Sequence, residues 1–357
     1  MPAQKVAVIL GTRPEIIKMC PVIRELERLS MDYFVLHTGQ HYSYNMDKVF
    51  FEQLRLPAPE FNINVGSGSH AEETGKMLIG IEGCLKEEAP GTVLVQGDTN
   101  TVLAGALAAA KMRIRVGHVE AGLRSGDMSM PEEVNRIVAD HVSDYLFAPT
   151  ESARGNLLRE GIPGSKVRVT GNTIVDAVQQ NLPLSSRVDV GRGLGSGNFF
   201  LVTMHRQENV DDKERLSRAL GALQALAERT GMVAVYPMHP RTRKRLNEFG
   251  LSPGDMVKVM EPVDYLAFLR LESEARLILT DSGGLQEEAC ILKVPCVTLR
   301  ENTERPETVA VGANVLAGTD PARIIAAAEE MLGRTRSWEN PYGDGRAAER
   351  IVEALLR

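Results

Sequence analysis

Three times in this chain an apolar run stops at glycine and polar residues, and a helix-like stretch follows at once. The three are "VAVILGTRPEIIK" (Val6–Lys18), "VLVQGDTNTVLAG" (Val93–Gly105) and "LILTDSGGLQEEA" (Leu277–Ala289). A strand buried on both faces reads as a continuous apolar run, and a helix after each such run is the βαβ unit of a parallel sheet. Further strand candidates are Tyr33–His37, Arg115–Val119, Tyr145–Ala148, Lys166–Val169, Phe199–Thr203, Met232–Tyr236, Val257–Val259 and Cys296–Thr298. The pattern predicts an α/β protein made of two Rossmann-like, doubly wound domains facing a cleft. A length of 357 residues agrees, because single cores rarely grow so large.

The poorest apolar periodicity lies in "NLPLSSRVDVGRGLGSGNFF" (Asn181–Phe200), rich in glycine and serine as linkers are. The expected division is a first domain over 1–180, a linker over 181–197, a second domain over 198–340 and a tail over 341–357. Within that tail Gly345–Leu356 reads as an amphipathic helix.

Composition narrows the function. A formal net charge of -6 argues against a nucleic-acid partner. No apolar stretch approaches the roughly 20 residues that span a bilayer, and the first apolar run leads into Gly-Thr-Arg-Pro rather than a cleavage site. The four cysteines form no CxxC pair and no secreted-type framework. A cytoplasmic protein without a membrane partner is expected. Neither HExxH nor a Cys/His cluster suggests a metal. GxGxxG does not follow the first strand, and the nearest imitation, "GSGSHA" (Gly66–Ala71), follows a weak strand without an acid for a ribose. No bound cofactor is expected.

In open α/β sheets ligands sit beyond the carboxyl ends of the strands, so the loops after them carry the chemistry. Ser282, Gly283 and Gly284 expose backbone N–H groups at a helix start, where phosphate binds readily. Glu288, about one turn on, is an acceptor for ribose hydroxyls. The bland alternative is an ordinary N-cap by Asp281 or Ser282. In "GTRPEIIK" Arg13 and Lys18 lie on one side of the first turn, as a grip for an anion. In "QGDTNT" Asp98 leaves a strand, as N-cap or as acid.

"VGHVEAGLRSGDMSMPEEVNR" (Val116–Arg136) crowds His118, Glu120 and Arg124 at a strand exit, and Pro131 then opens a helix. On its wheel Val134, Ile137, Val138 and Val142 form an apolar stripe. Glu132, Arg136 and Asp140 lie opposite, which reads as a solvated salt-bridge face. Asp98, Glu120 and Glu132 nevertheless end consecutive units and suggest acid–base work at one sheet edge. His205 and His239 end neighbouring strands in the second half.

Taken together these segments resemble the non-hydrolysing UDP-N-acetylglucosamine 2-epimerases over nearly the whole chain. The resemblance rests on "GTRPE" (Gly11–Glu15), "TGQH" (Thr38–His41), "GDT" (Gly97–Thr99), "HVEAGLRS" (His118–Ser125) and "MPEEVNR" (Met130–Arg136). "HR-EN" (His205–Asn209), "HPRT" (His239–Thr242), "DSGGLQEEA" (Asp281–Ala289) and "TERPE" (Thr303–Glu307) complete it. It implies a glycosyltransferase-B type fold whose final helix returns to the first domain. It also implies reversible C2 epimerisation of UDP-N-acetylglucosamine to UDP-N-acetylmannosamine, by loss and re-addition of UDP through a glycal. Partners are then UDP-N-acetylglucosamine and UDP, with a homodimer as the usual assembly.

By the same resemblance the diphosphate lies at Ser282–Gly284, the ribose on Glu288, and uracil near Pro262 and Phe268. Arg13, Lys18, His239 and Arg305 are substrate-binding residues. Asp98, Glu120 and Glu132 are the acid–base carboxylates, with His205 beside them and Arg136 as their partner arginine. Gln40 and His41 match a second, activating nucleotide-sugar site, although "YSYNMDKVFFEQL" after them departs from the bacterial pattern. Two alternatives are a C2 epimerase of a UDP-diacetamido uronic acid, and a UDP-sugar glycosyltransferase of the same fold.

Overall fold

The computed structural model describes residues 5–39, 44–190 and 197–356. Two compact units emerge, Met1–Gln180 with Tyr342–Arg357, and Asn181–Pro341. The first holds β1 (Val6–Leu10), α1 (Arg13–Arg28), β2 (Tyr33–His37), α2 (Tyr44–Gln53), β3 (Phe61–Asn62), α3 (His70–Glu88), β4 (Thr92–Gln96), α4 (Asn100–Lys111) and β5 (Arg115–Val119). It continues with α5 (Pro131–Val142), β6 (Tyr145–Ala148), α6 (Glu151–Arg159) and β7 (Val167–Val169). Helix α7 (Thr173–Ser185) follows, so the first residues of the expected linker are helical.

The second unit holds β8 (Phe199–Thr203), α8 (Gln207–Val210), α9 (Lys213–Thr230), β9 (Val233–Pro237), α10 (Pro240–Phe249), β10 (Val257–Met260) and α11 (Tyr265–Glu274). Then come β11 (Leu277–Thr280), α12 (Gly283–Ile291), β12 (Cys296–Thr298), α13 (Pro306–Ala310), β13 (Asn314–Leu316) and α14 (Pro321–Leu332). Helix α15 (Ala347–Leu355) belongs to the first unit and packs on α1. Its first two amides donate to the buried carboxylate of Asp176, at 3.2 Å and 2.9 Å.

Both sheets are parallel. Their orders are β3-β2-β1-β4-β5-β6-β7 and β10-β9-β8-β11-β12-β13. Each order reverses once, between β1 and β4 and between β8 and β11, and a doubly wound sheet leaves a crevice at such a point. Strand β8 shows why the runs are apolar throughout. Phe200 and Val202 enter one core cluster while Phe199 and Leu201 enter the other, so the two-residue period feeds both faces. At about 1.5–3 kcal/mol per large side chain fully buried, such strands hold each layer. β3 is the weak strand before Gly66, and β13 went unpredicted, since runs of two or three residues carry little apolar signal.

Gly11 lets β1 turn into α1. A Cβ built there falls 2.1 Å from Thr38 Oγ1 and 2.4 Å from Thr101 Oγ1, two hydroxyls that are themselves hydrogen-bonded at 2.8 Å. Gly11→Ala is therefore expected to destabilise the protein by about 1–3 kcal/mol, the usual cost of overpacking. Urea unfolding checks this; a midpoint equal to that of the wild type would contradict it.

Candidate active site

Among the described residues, the main loops expected to carry chemistry lie at carboxyl ends of strands. In the first unit Gly11–Arg13 follow β1, Asp98 follows β4 and Glu120 follows β5, beside that sheet's reversal. In the second, His205 follows β8, His239 follows β9 and Asp281–Gly284 follow β11.

Glu120 is buried at 7% exposure and adopts φ 70°, a left-handed backbone that a side-chain-bearing residue rarely takes. Lys18 Nζ donates to its two oxygens at 2.8 Å and 2.7 Å, and Gln96 Nε2 donates to Oε2 at 2.6 Å. A carboxylate removed from water needs such partners. Lys18 thus turns inward to Glu120, whereas Arg13 is exposed and stands over the Phe50 ring, 5.0 Å from its centroid. The joint anion grip expected of these two residues is not formed. The two amides leading into α1 are taken as well: Gly11 N and Thr12 N donate to Glu15 at 2.6 Å and 2.7 Å. Burial pushes the Glu15 carboxyl up to about 7 against the pull of those donors.

Asp98 is partly exposed and paired with Arg136, which also meets Glu133 at 2.6 Å. Asn135 Nδ2 donates to the Asp98 carbonyl at 2.9 Å. The expected solvated face of α5 is corrected here. Arg136 and Asp140 are buried, and Val134 of the apolar stripe is 39% exposed. The reason is a buried charge network: His118 Nδ1 lies 2.6 Å from Asp140, and Arg124 reaches Asp140 and Glu160, each at 2.7 Å. The other ring nitrogen of His118 donates to the Gly97 carbonyl at 2.8 Å. Two acceptors at two nitrogens mean that the ring carries both protons. Burial disfavours the charge, but Asp140 and the Gly97 carbonyl outweigh it and the pKa is raised.

Of the adjacent acids in "MPEEVNR", Glu132 is exposed at the helix start, whereas Glu133 is buried and accepts the amides of Ser125 and Gly126. Glu133 went unnoticed in the sequence. Its signal is position N3 of α5, from which a glutamate reaches back over the preceding loop.

In the second unit Asp281 does not cap α12. It accepts His205 N at 2.9 Å, Arg206 N at 2.9 Å and Asn209 Nδ2 at 3.1 Å, and its carboxylate lies 3.1 Å from His205 Nδ1. Burial pushes its pKa up, yet His205 and these donors bring the net shift downward. Ser282 makes no side-chain cap either, so the first amides of α12 stay available to an anion. Ser282, Gly283, Gly284, Glu288 and Phe268 are half-buried, and Pro262 is exposed. The His205 and His239 rings lie 6.0 Å apart. His239 Nδ1 accepts Arg241 N at 3.2 Å, and burial, then His205, lowers its pKa. Arg305 pairs with buried Glu287 at 2.7 Å. Gln40 and His41 lie outside the described residues. Among the described residues no three His, Cys, Asp or Glu side chains converge as a metal set, and no helix is long and apolar enough to cross a membrane.

The arrangement offers an anion loop with a ribose-type acid in one unit, and a group of fixed carboxylates in the other. Comparison with known proteins shows the family. A family model described as UDP-N-acetylglucosamine 2-epimerase matches residues 24–356. The UDP-N-acetylglucosamine 2-epimerase of Methanocaldococcus jannaschii is 56% identical over 98% of each chain. That of Methanococcus maripaludis is 54% identical over 99% of this chain and 98% of its own. A crystal structure of the Methanocaldococcus jannaschii UDP-GlcNAc 2-epimerase in complex with UDP-GlcNAc and UDP superposes with a TM-score of 0.90, at 57% identity and 99% coverage of each chain.

The buried network generates a contrast. Asp140→Asn leaves His118 and Arg124 facing a neutral group and is expected to cost about 3–5 kcal/mol. Glu132→Gln, at an exposed position, should change stability by less than about 0.5 kcal/mol. Asp140's share of the stability is present above the ordinary value of 3.8 and lost as pH falls through its depressed pKa. That of His118 is present below 6.5 and lost as pH rises through its raised one. Denaturant unfolding across pH measures both; equal costs for the two variants would contradict the assignment.

Proposed function

Because the chain belongs to the UDP-N-acetylglucosamine 2-epimerase family, we propose that it interconverts UDP-N-acetylglucosamine and UDP-N-acetylmannosamine by elimination and re-addition of UDP. The observation that carries this reading is the pair of differently held carboxylates at the β4 and β5 exits. Asp98 is partly exposed on Arg136, and Glu120 is buried between Lys18 and Gln96.

The hydrogen at C2 has no neighbouring carbonyl, so simple deprotonation is too slow. If the C1–O bond breaks as C2–H gives up its proton, UDP leaves with the bonding pair. The C–H electrons then form the C1=C2 double bond, and a carboxylate takes the proton. Configuration at C2 is lost in the planar glycal. A proton delivered to the opposite face, with return of the UDP oxygen to C1, gives the epimer. No net oxidation or reduction occurs.

Carboxylates at different exits suit a two-faced proton transfer, and Asp98, Glu120 and Glu132 are assigned to it. Arg136 holds Asp98, and Lys18 holds Glu120. Ser282 and the amides of Gly283 and Gly284, with Arg13, His205 and His239, stabilise the departing diphosphate, usually the largest single term in such catalysis. Pro262 and Phe268 take the uracil, Glu288 the ribose, and Arg305 the same nucleotide side. Gln40 and His41 are assigned a second nucleotide-sugar site. A cytoplasmic homodimer supplying polysaccharide or glycan synthesis completes the reading, and light scattering checks the dimer.

Asp98→Asn and Glu120→Gln are expected to lower turnover at least about 100-fold, the lower end for a general acid or base, with UDP affinity within about threefold of wild type. Proton NMR of UDP-N-acetylglucosamine without any acceptor follows turnover, and calorimetry follows UDP. A tenfold loss of UDP affinity in both variants would make these acids structural. A requirement for an acceptor would mean a transferase, and conversion of only a diacetamido uronic acid nucleotide would reassign the substrate.

A further inference from the structure

Glu272 has no part in the scheme above. It lies on α11, one turn after Phe268, so the two share a helix face. That face meets α12: Phe268 packs into the core cluster holding Leu285 and Ala289. Glu272 is fully buried, and neither of its oxygens meets an N–H or hydroxyl donor among the described residues. What it meets is another carboxyl, that of Glu288 on α12.

Two carboxyl groups in hydrogen-bond contact cannot both ionise in a buried setting, so one proton is held between them. The fully enclosed member keeps it, because burial penalises the charge there most. The titratable groups facing Glu272 are Glu288 from α12 and the Cys296 thiol from β12. The nearby cations are engaged elsewhere, Arg270 with Glu274 and Arg305 with Glu287.

We propose that Glu272 is a positioning residue for nucleotide binding: protonated, it donates a hydrogen bond to one oxygen of Glu288 and fixes that carboxylate to accept from the ribose hydroxyls. The proposal rests on the ribose role given to Glu288. It makes UDP affinity depend on a proton that never touches the ligand. Ionisation of Glu272 at high pH sets two like charges against each other and turns Glu288 away from the sugar.

The test compares wild type, Glu272→Gln and Glu272→Leu in the full chain, by calorimetric titration with UDP and by urea unfolding, over a series of pH values rising from mildly acid to alkaline. Wild-type UDP affinity should fall as pH rises. Glu272→Gln, which donates at every pH, should keep the neutral-pH affinity throughout. Glu272→Leu, without a donor, should bind UDP roughly tenfold more weakly even at the low end.

Stability gives a second readout, independent of UDP. An acid whose folded pKa is raised stabilises below its ordinary 4.5, and that contribution is lost as pH rises through the folded value. The wild type should lose this share of stability on the way up, and both variants should lack the decline. Wild-type pH dependence persisting in Glu272→Gln, by both readouts, overturns the proposal. If the stability decline vanishes but UDP affinity is unchanged in all three proteins, the proposal fails through the ribose role of Glu288 and not through the shared proton.

Discussion

A buried carboxylate at a strand end is the constraint on which the first unit turns. Glu120 can sit out of water only because Lys18 and Gln96 reach it, and these arrive from α1 and β4. Lys18 arrives because Gly11 admits a tight turn and Glu15 ties down the two amides that lead into α1. Three strand exits are tied to one acid, and a shift of any would leave an unpaired charge, a cost of several kcal/mol. The left-handed backbone of Glu120 is local strain that this surrounding holds in place.

The second unit differs in leaving the start of α12 without a capping side chain. Asp281 stands where a helix cap is expected, yet it is drawn to the β8 exit and fixes His205, Arg206 and Asn209. The amides of α12 are left to a ligand.

Most of the fold was legible, because strands buried on both faces announce themselves as apolar runs. Phe199–Thr203 and Leu277–Thr280 were read to the residue, whereas the short β3 gave only a weak signal and β13 none. The loops were legible as locations and less so as partnerships. Nothing local links Lys18 to Glu120 or His118 to Asp140, which lie 102 and 22 residues apart. Helical periodicity misled at α5, where a polar face is buried against other charges. Gln96, Glu133 and Glu272, and the real partners of Asp281, escaped for the same reason: each acts on a group brought near only by the fold.

The central claim is that C2 loses its hydrogen to a carboxylate as UDP departs. Conversion of UDP-N-acetylglucosamine in deuterium oxide, followed by NMR and mass spectrometry of the products, tests it most directly. The account predicts UDP-N-acetylmannosamine carrying one deuterium, at C2 and at no other carbon, with traces of free UDP and unsaturated sugar as the glycal escapes. Product with ordinary hydrogen at C2 after full conversion would contradict elimination, and with it the roles given to Asp98, Glu120 and Glu132.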